Sequence, residues 1–322
     1  MAFNTRPGQS GLNTKHLRGR TAMPVFTTPE PIFVTIELNA GDTRIIASDR
    51  SDTVVEVRPR DDSRASDIRA AEQTQVEYSS SRLLIKSRQR NIIYESARSV
   101  IGPGKSTPLV DVTIELPAGS HLQGESGMGD FSCEGHLAEC RLKTGLGNIH
   151  LDHARALHLK TGMGDIAVAR AGGVADVTPG TGEVRIGHIE GPAVIKNSNG
   201  DTVVGEVTGD LRVKSANGRI SIDQAHASVT AKTANGRIRI GEVINGEIVL
   251  ETAAGELEVG IHEGTAAWLD VSAHHGRVRN SLDEANSPDQ AEARVEVRAR
   301  TSYGNILIRR ANQTTQTGKK QP

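Results

Sequence analysis

Lys196-Asn197-Ser198-Asn199-Gly200-Asp201, Lys214-Ser215-Ala216-Asn217-Gly218-Arg219 and Lys232-Thr233-Ala234-Asn235-Gly236-Arg237 are three successive returns of one motif, each eighteen residues after the last. Working outward from them, the glycine recurs at Gly129, Gly147, Gly164, Gly182, Gly200, Gly218, Gly236, Gly255, Gly276 and Gly304, at spacings of 18, 17, 18, 18, 18, 18, 19, 21 and 28. A fixed period of this size marks a solenoid, in which one coil cannot bury its apolar face alone and stacks on its neighbours to do so.

Counted from the glycine, apolar residues fall in pairs two apart. Positions +2 and +4 hold Ile149 and Leu151, Ile166 and Val168, Ile220 and Ile222, Ile238 and Ile240. Positions −7 and −5 hold Leu157 and Leu159, Leu211 and Val213, Ile248 and Leu250. Spacing by two is strand periodicity, so both members of a pair face one side. The reading is an all-β, parallel β-solenoid with two strands per coil of about eighteen residues. Ten coils at about 4.8 Å each make a rod of about 48 Å. A weaker column at +7 (Ala154, Ala171, Ile189, Val207, Ala225, Val243) suggests a short third side. The Asn-Gly pairs suit corners that need positive φ. A polar column at −3 (Ser126, Thr144, Thr161, Asn197, Ser215, Thr233, Thr252, Thr301) is placed to hydrogen-bond up and down the stack.

Two other repeat folds fit less well. Left-handed acyltransferase helices carry single apolar residues every six, whereas here pairs come every nine. Calcium-binding β-rolls need glycine and aspartate at each turn, and only Gly127-Met128-Gly129-Asp130 and Gly162-Met163-Gly164-Asp165 come close.

The chain has 322 residues and a formal net charge of −1, so no global imbalance points to nucleic acid or an anionic membrane, and no nucleic-acid partner is expected. Aromatics are 2 %, which counts against sugar- or base-stacking platforms. No run of eighteen apolar residues offers a membrane span, and no apolar signal segment opens the chain; a cytoplasmic compartment is expected. Cys133 and Cys140 fall in inward columns and read as small buried apolar residues, since their spacing matches no standard zinc pair. No cofactor is expected.

Residues 1–22 are basic and turn-rich, a disordered leader or a misassigned start given Met23. Residues 23–121 read as the first coils and a cap, with strands at 32–38, 42–48, 53–59 and 82–87 and a short helix at 64–75. Thr35-Ile36-Glu37-Leu38-Asn39-Ala40-Gly41 echoes Thr113-Ile114-Glu115-Leu116-Pro117-Ala118-Gly119. The segment 60–108 is expected to cover the terminal edge, with a mobile loop near 89–108. Residues 122–310 are the repeats, with a polar insertion at 281–292, and 311–322 is a disordered tail.

The sharpest surface feature is a lysine ladder at −4: Lys143, Lys160, Lys196, Lys214 and Lys232, interrupted by Thr178. It is the candidate binding strip for an anionic polymer or a protein partner, against the alternative of a solvated face that blocks edge association. The neighbouring +1 column (Asp130, Asp165, Glu183, Asp201, then Arg219, Arg237, Arg277) stands where it could partly neutralise the ladder. His136 and His262 fall in the weak inward column and read as core histidines. His274 and His275 read as solvent-facing, and His150, His153 and His158 form a loose group. No nucleophile motif, phosphate loop or HExxH is present, and the loops between residues 122 and 276 are minimal, which leaves little room for a cleft.

The coils Lys196 to Asp201, Lys232 to Gly236 and Arg300-Thr301-Ser302-Tyr303-Gly304-Asn305 resemble the bacterial "putative adhesin" β-strand-repeat family, a domain of unknown function, most closely its actinobacterial members. The resemblance covers about residues 23–310 and implies a β-solenoid without assigned catalytic residues. The expected function is therefore a non-enzymatic binding or scaffold protein. An envelope-associated adhesin and an enzyme of unknown reaction are the alternatives.

Overall fold

The computed structural model describes residues 23–87, 107–282 and 293–311. The expected leader at 1–22, the loop near 89–108, the insertion at 281–292 and the tail at 311–322 lie wholly or largely outside them.

The regular coils run through β11 (Ile166–Ala171), β12 (Ala175–Thr181), β13 (Val184–Ile189), β14 (Ala193–Asn199), β15 (Thr202–Val207), β16 (Leu211–Asn217), β17 (Ile220–Ala225), β18 (Val229–Asn235) and β19 (Ile238–Val243). Each strand pairs in parallel with the strand two later: Ile166 lies beside Val184, Val184 beside Thr202, and Thr202 beside Ile220. The chain thus winds two parallel stacks, one before each corner glycine and one after it. β9 (Phe131–Leu146) and β10 (Ile149–Met163) each run through a whole coil and belong to both stacks. The paired apolar columns face each other across a continuous core in which Ile149, Leu157, Ile166, Val177, Ile220, Val229 and Ile238 are all at most 1 % exposed.

The +7 column is buried, but it forms no third side. In β17 the burial alternates through Ile222, then two successive residues, Asp223 and Gln224, face out before Ala225 turns in. The strand continues through this irregularity, so +7 is the end of the second strand.

Stacking departs from chain order at both ends. β2 (Phe33–Ala40) and β3 (Thr43–Ser48) form a coil cornered on Gly41. It sits between β8 (His121–Met128) and β9 on one side and β6 (Arg82–Lys86) and β7 (Val110–Pro117) on the other. The two echoed heptapeptides consequently occupy different stacks. Antiparallel strands finish this end: β4 (Asp52–Pro59) on β7, β1 (Val25–Thr27) on β4, and β5 (Gln75–Ser79) on β6. The helix α1 (Ala65–Glu72) packs against β4 and β7. At the other end, β24 (Ala293–Tyr303) and β25 (Ile306–Arg310) insert between β20 (Gly246–Ala254) with β21 (Leu257–Ile261) and β22 (Thr265–His275) with β23 (Val278–Asn280). The last coil in sequence is thus the penultimate one in space.

The threonines at −3 in four coils, Thr144, Thr161, Thr252 and Thr301, bond a corner carbonyl rather than one another. Thr144 Oγ1 donates to the Gly129 carbonyl (3.0 Å), Thr161 Oγ1 to that of Gly147 (2.9 Å) and Thr301 Oγ1 to that of Gly255 (3.0 Å). Each ties a coil to the corner of its spatial predecessor.

One outward ion cluster is buried. Arg309 Nε and Nη2 lie 3.1 and 3.0 Å from Glu258 Oε1, and Arg237 also bonds this carboxylate, whose side chain is 8 % exposed. Burial pushes the Glu258 carboxyl up, but the hydrogen bonds from Arg309 and Arg237 outweigh it and hold the group below its ordinary value. The folded state then binds fewer protons than the unfolded chain between the two values, so stability rises with pH there. Glu258→Gln is expected to cost about 1–3 kcal/mol at neutral pH. The gap should narrow as pH falls through the carboxylate range, read from urea unfolding at a series of pH values. A gap independent of pH would contradict this.

Candidate binding face

The stack before the corner glycines carries the lysine column on its outer side. The column runs through paired positions: Lys86 beside Glu37, Glu37 beside Glu125, Glu125 beside Lys143, Lys143 beside Lys160, and Lys160 beside Thr178. It resumes with Lys196 beside Lys214, Lys214 beside Lys232, Lys232 beside Glu251, and Glu251 beside Arg300. All five predicted lysines therefore stand in one line, because each directly follows an inward apolar pair on its strand and so faces outward. Adjacent rungs are about 4.8 Å apart.

The ends of the ladder differ from its middle. Lys143 forms an ion pair with Glu125, and Lys232 pairs with Glu251 at 2.6 Å. Lys160, Lys196 and Lys214 are exposed and have no ion-pair or hydrogen-bond partner among the described residues. The acidic +1 column does not neutralise them. Its carboxylates serve the corners: Asp130 Oδ1 accepts from Asn148 N (2.7 Å), Asp165 Oδ1 from Glu183 N (2.7 Å) and Asp201 Oδ1 from Arg219 N (2.8 Å). The Arg219 backbone N–H, aided by its guanidinium and against slight burial, holds the Asp201 carboxyl below its ordinary value.

Shallow depressions open on this face near both ends of the ladder. One, of about 370 Å³, is lined by Arg141, Lys143, His158 and Lys160 with Glu125 and Asp176. The other, of about 550 Å³, is lined by Lys232, Arg300 and His274 with Glu251. Arg212, exposed on the same side two residues before Lys214, adds to the positive middle.

Sequence reading missed the strip beside the ladder. Gly127, Gly145, Gly162 and Gly180 occupy the −2 column, where a Cβ on Gly145 would lie 2.5 Å from the Gly127 carbonyl oxygen. Beyond this flat strip Met128, Leu146 and Met163 stack in register at the corner, 44, 41 and 58 % exposed. The same column continues as Asn199, Asn217 and Asn235, whose amides bond in series at 2.8 and 3.0 Å. The signal was available as an apolar run at −1, immediately before three corner glycines.

The other candidates do not assemble. His136 and His262 are exposed rather than in the core. An irregularity at Gly135, with φ 86°, shifts the register so that Leu137 takes the inward place. His136 stacks on His153 at 4.6 Å, and His262 Nδ1 lies 2.6 Å from Glu242 Oε1. His150 faces out from the stack after the corners and His158 from the ladder stack, so the loose group is dispersed. Among the described residues no three His, Cys, Asp or Glu side chains come together as a metal site. Cys133 and Cys140 are buried side by side in the core. The contact with Cys140, together with burial, pushes the Cys133 thiol well up and keeps it protonated. No helix is long and apolar enough to cross a membrane among the described residues.

No curated protein matches the sequence. Among solved structures it is similar to a putative adhesin from Parabacteroides merdae, at 9 % identity and TM-score 0.41, covering 90 % of this chain and 96 % of that one. It is also similar to a putative lipid binding protein from Parabacteroides distasonis, at 12 % identity and TM-score 0.30, covering 91 % and 97 %. The resemblance carried by the Asn-Gly coils holds at the level of the family: residues 33–320 match the family described as Toastrack DUF4097, and the chain belongs to it.

Proposed function

We propose that this protein is a non-enzymatic binding or scaffold solenoid, acting in the cytoplasm, whose ladder face docks an extended anionic polymer or an acidic partner segment. The observation that carries this reading is the row of unpaired cations at Lys160, Lys196 and Lys214 on one regular face. Ammoniums on neighbouring rungs repel by about 1 kcal/mol in water at about 5 Å. An anionic chain laid along the column would relieve that repulsion between Lys196 and Lys214 and reach Lys160 across the Thr178 rung. The Glu125 and Glu251 pairs would then mark the ends of the strip.

Labelled polyglutamate and polyphosphate are suitable probes, followed by anisotropy. Binding is expected to weaken steeply with salt, because screening shortens from about 10 Å at 0.1 M to about 3 Å at 1 M. Replacing Lys160, Lys196 and Lys214 together by Gln should reduce affinity at least about tenfold without lowering the melting temperature. Equal binding by this variant would remove the ladder from the function. Turnover of a substrate by the purified protein, lost on altering one coil, would favour an enzyme. Cleavage by external protease on intact cells would favour an adhesin.

A further inference from the structure

The two ends of the solenoid are finished differently. The first is closed by antiparallel β4, β1 and β5 and by α1. At the second, no strand among the described residues pairs with the outer edge of β22 or β23, each of which bonds only inward, to β24 and β25. The core thins abruptly there. Val295, Val297 and Ala299 of β24 are 3, 0 and 0 % exposed, while their neighbours Ala267, Leu269 and Val271 in β22 are only partly covered. Trp268, the sole tryptophan, is 58 % exposed.

Within the strand β22 carries no lysine, no proline and no irregularity in its register with β24, three usual devices against edge pairing. Its one carboxylate, Asp270, is paired with Arg300 at 3.1 Å, so the edge is close to neutral. β23 instead is flanked by Arg277 and contains Arg279, which turns the choice of pairing strand to β22.

We infer that the protein forms a two-fold, end-to-end dimer in which β22 pairs antiparallel with β22 of a second copy. The sequence of the strand restricts the register. A two-fold axis midway between residues would set inward side chains against outward ones. An axis at Asp270 would oppose two carboxylates across the pair. An axis at Ser272 would set Leu269 against His275. An axis at Val271 sets Leu269 against the smaller Ala273, Asp270 against Ser272 and Trp268 against His274, and continues the core across the joint. The contact is isologous and both outer ends are capped, so assembly stops at two. The antiparallel joint repeats the way β4 and β5 close the first end.

The full chain tests this by light scattering behind size exclusion. The expected mass is about twice that of the 34.3 kDa chain, with Trp268 emission shifting to the red on dilution as the joint opens. Val271→Lys, at a partly exposed edge position where the ammonium reaches water in the free monomer, should give a folded single chain. Val271→Cys should cross-link to itself under mild oxidation, since residues opposite each other across an axis have Cβ atoms about 5 Å apart. A single-chain mass up to on the order of 100 µM, a species larger than two chains, an unchanged dimer in Val271→Lys, or no cross-link in a dimeric Val271→Cys would each overturn the proposal.

Discussion

Ile220→Asp is expected to abolish cooperative folding of the solenoid or to lower its stability by more than about 4 kcal/mol. Ile220 is 1 % exposed at the start of β17, flanked in its stack by Thr202 and Ile238. A carboxylate there has no cation within the core and no path to water. The choice is to bury a charge, to take up a proton at a cost, or to pull the strand out. Pulling it out uncovers the coils on both sides, because each coil's inner face is covered by its neighbours and stability is shared between them. Domains of this kind hold about 5–15 kcal/mol in all, so the loss is of the same order as the total. Lys214→Ala, six residues earlier and facing out, should stay within about 0.5 kcal/mol of the parent. Urea unfolding followed by circular dichroism reads both. If the two variants melted alike, the inward and outward columns would be misassigned.

The contrast between Ile220 and Lys214 was legible in the sequence because strand alternation is local: two residues on, the side chain returns to the same face. Offset −4 equally marked Glu125 and Glu251 as members of the lysine column, so the ends of the strip could have been read there. What the sequence did not disclose depends on non-local choices. Nothing in residues 293–310 says that they slide between 246–261 and 265–280. Only the lengthening of the period to 21 and then 28 hints that the last coils are irregular. The third side failed for a subtler reason. A fixed count from the glycine assumes unbroken alternation, and the two successive outward residues Asp223 and Gln224 return Ala225 to the core within one strand. The same kind of slip at Gly135 moved His136 out of the core and Leu137 into it.

Gly218→Ala is the second substitution expected to be severe, and it tests what holds the rungs at their spacing. Gly218 has φ 132°, and a Cβ built on it would stand 2.1 Å from the carbonyl oxygen of Gly200 in the preceding coil. That oxygen cannot swing away, because the backbones of both coils are fixed by the parallel ladders on either side of the corner. The Gly218 N–H itself donates to the Asn235 carbonyl at 3.0 Å. Relief requires separating two coils or breaking a corner bond, on top of about 1–3 kcal/mol for the backbone conformation. The sum should exceed about 3 kcal/mol. Gly264→Ala separates the two causes. Gly264 also has positive φ, at 84°, but nothing lies within 4 Å of its would-be Cβ, so about 1 kcal/mol is expected from conformation alone. Comparable losses at the two sites would mean that conformation, and not close approach, makes the corner glycine necessary. A large excess at Gly218 would show that the coils touch backbone to backbone at the corner. The lysine rungs depend on that contact, since a methyl group at a single corner would spread Lys196 and Lys214 apart and interrupt the charge row between them.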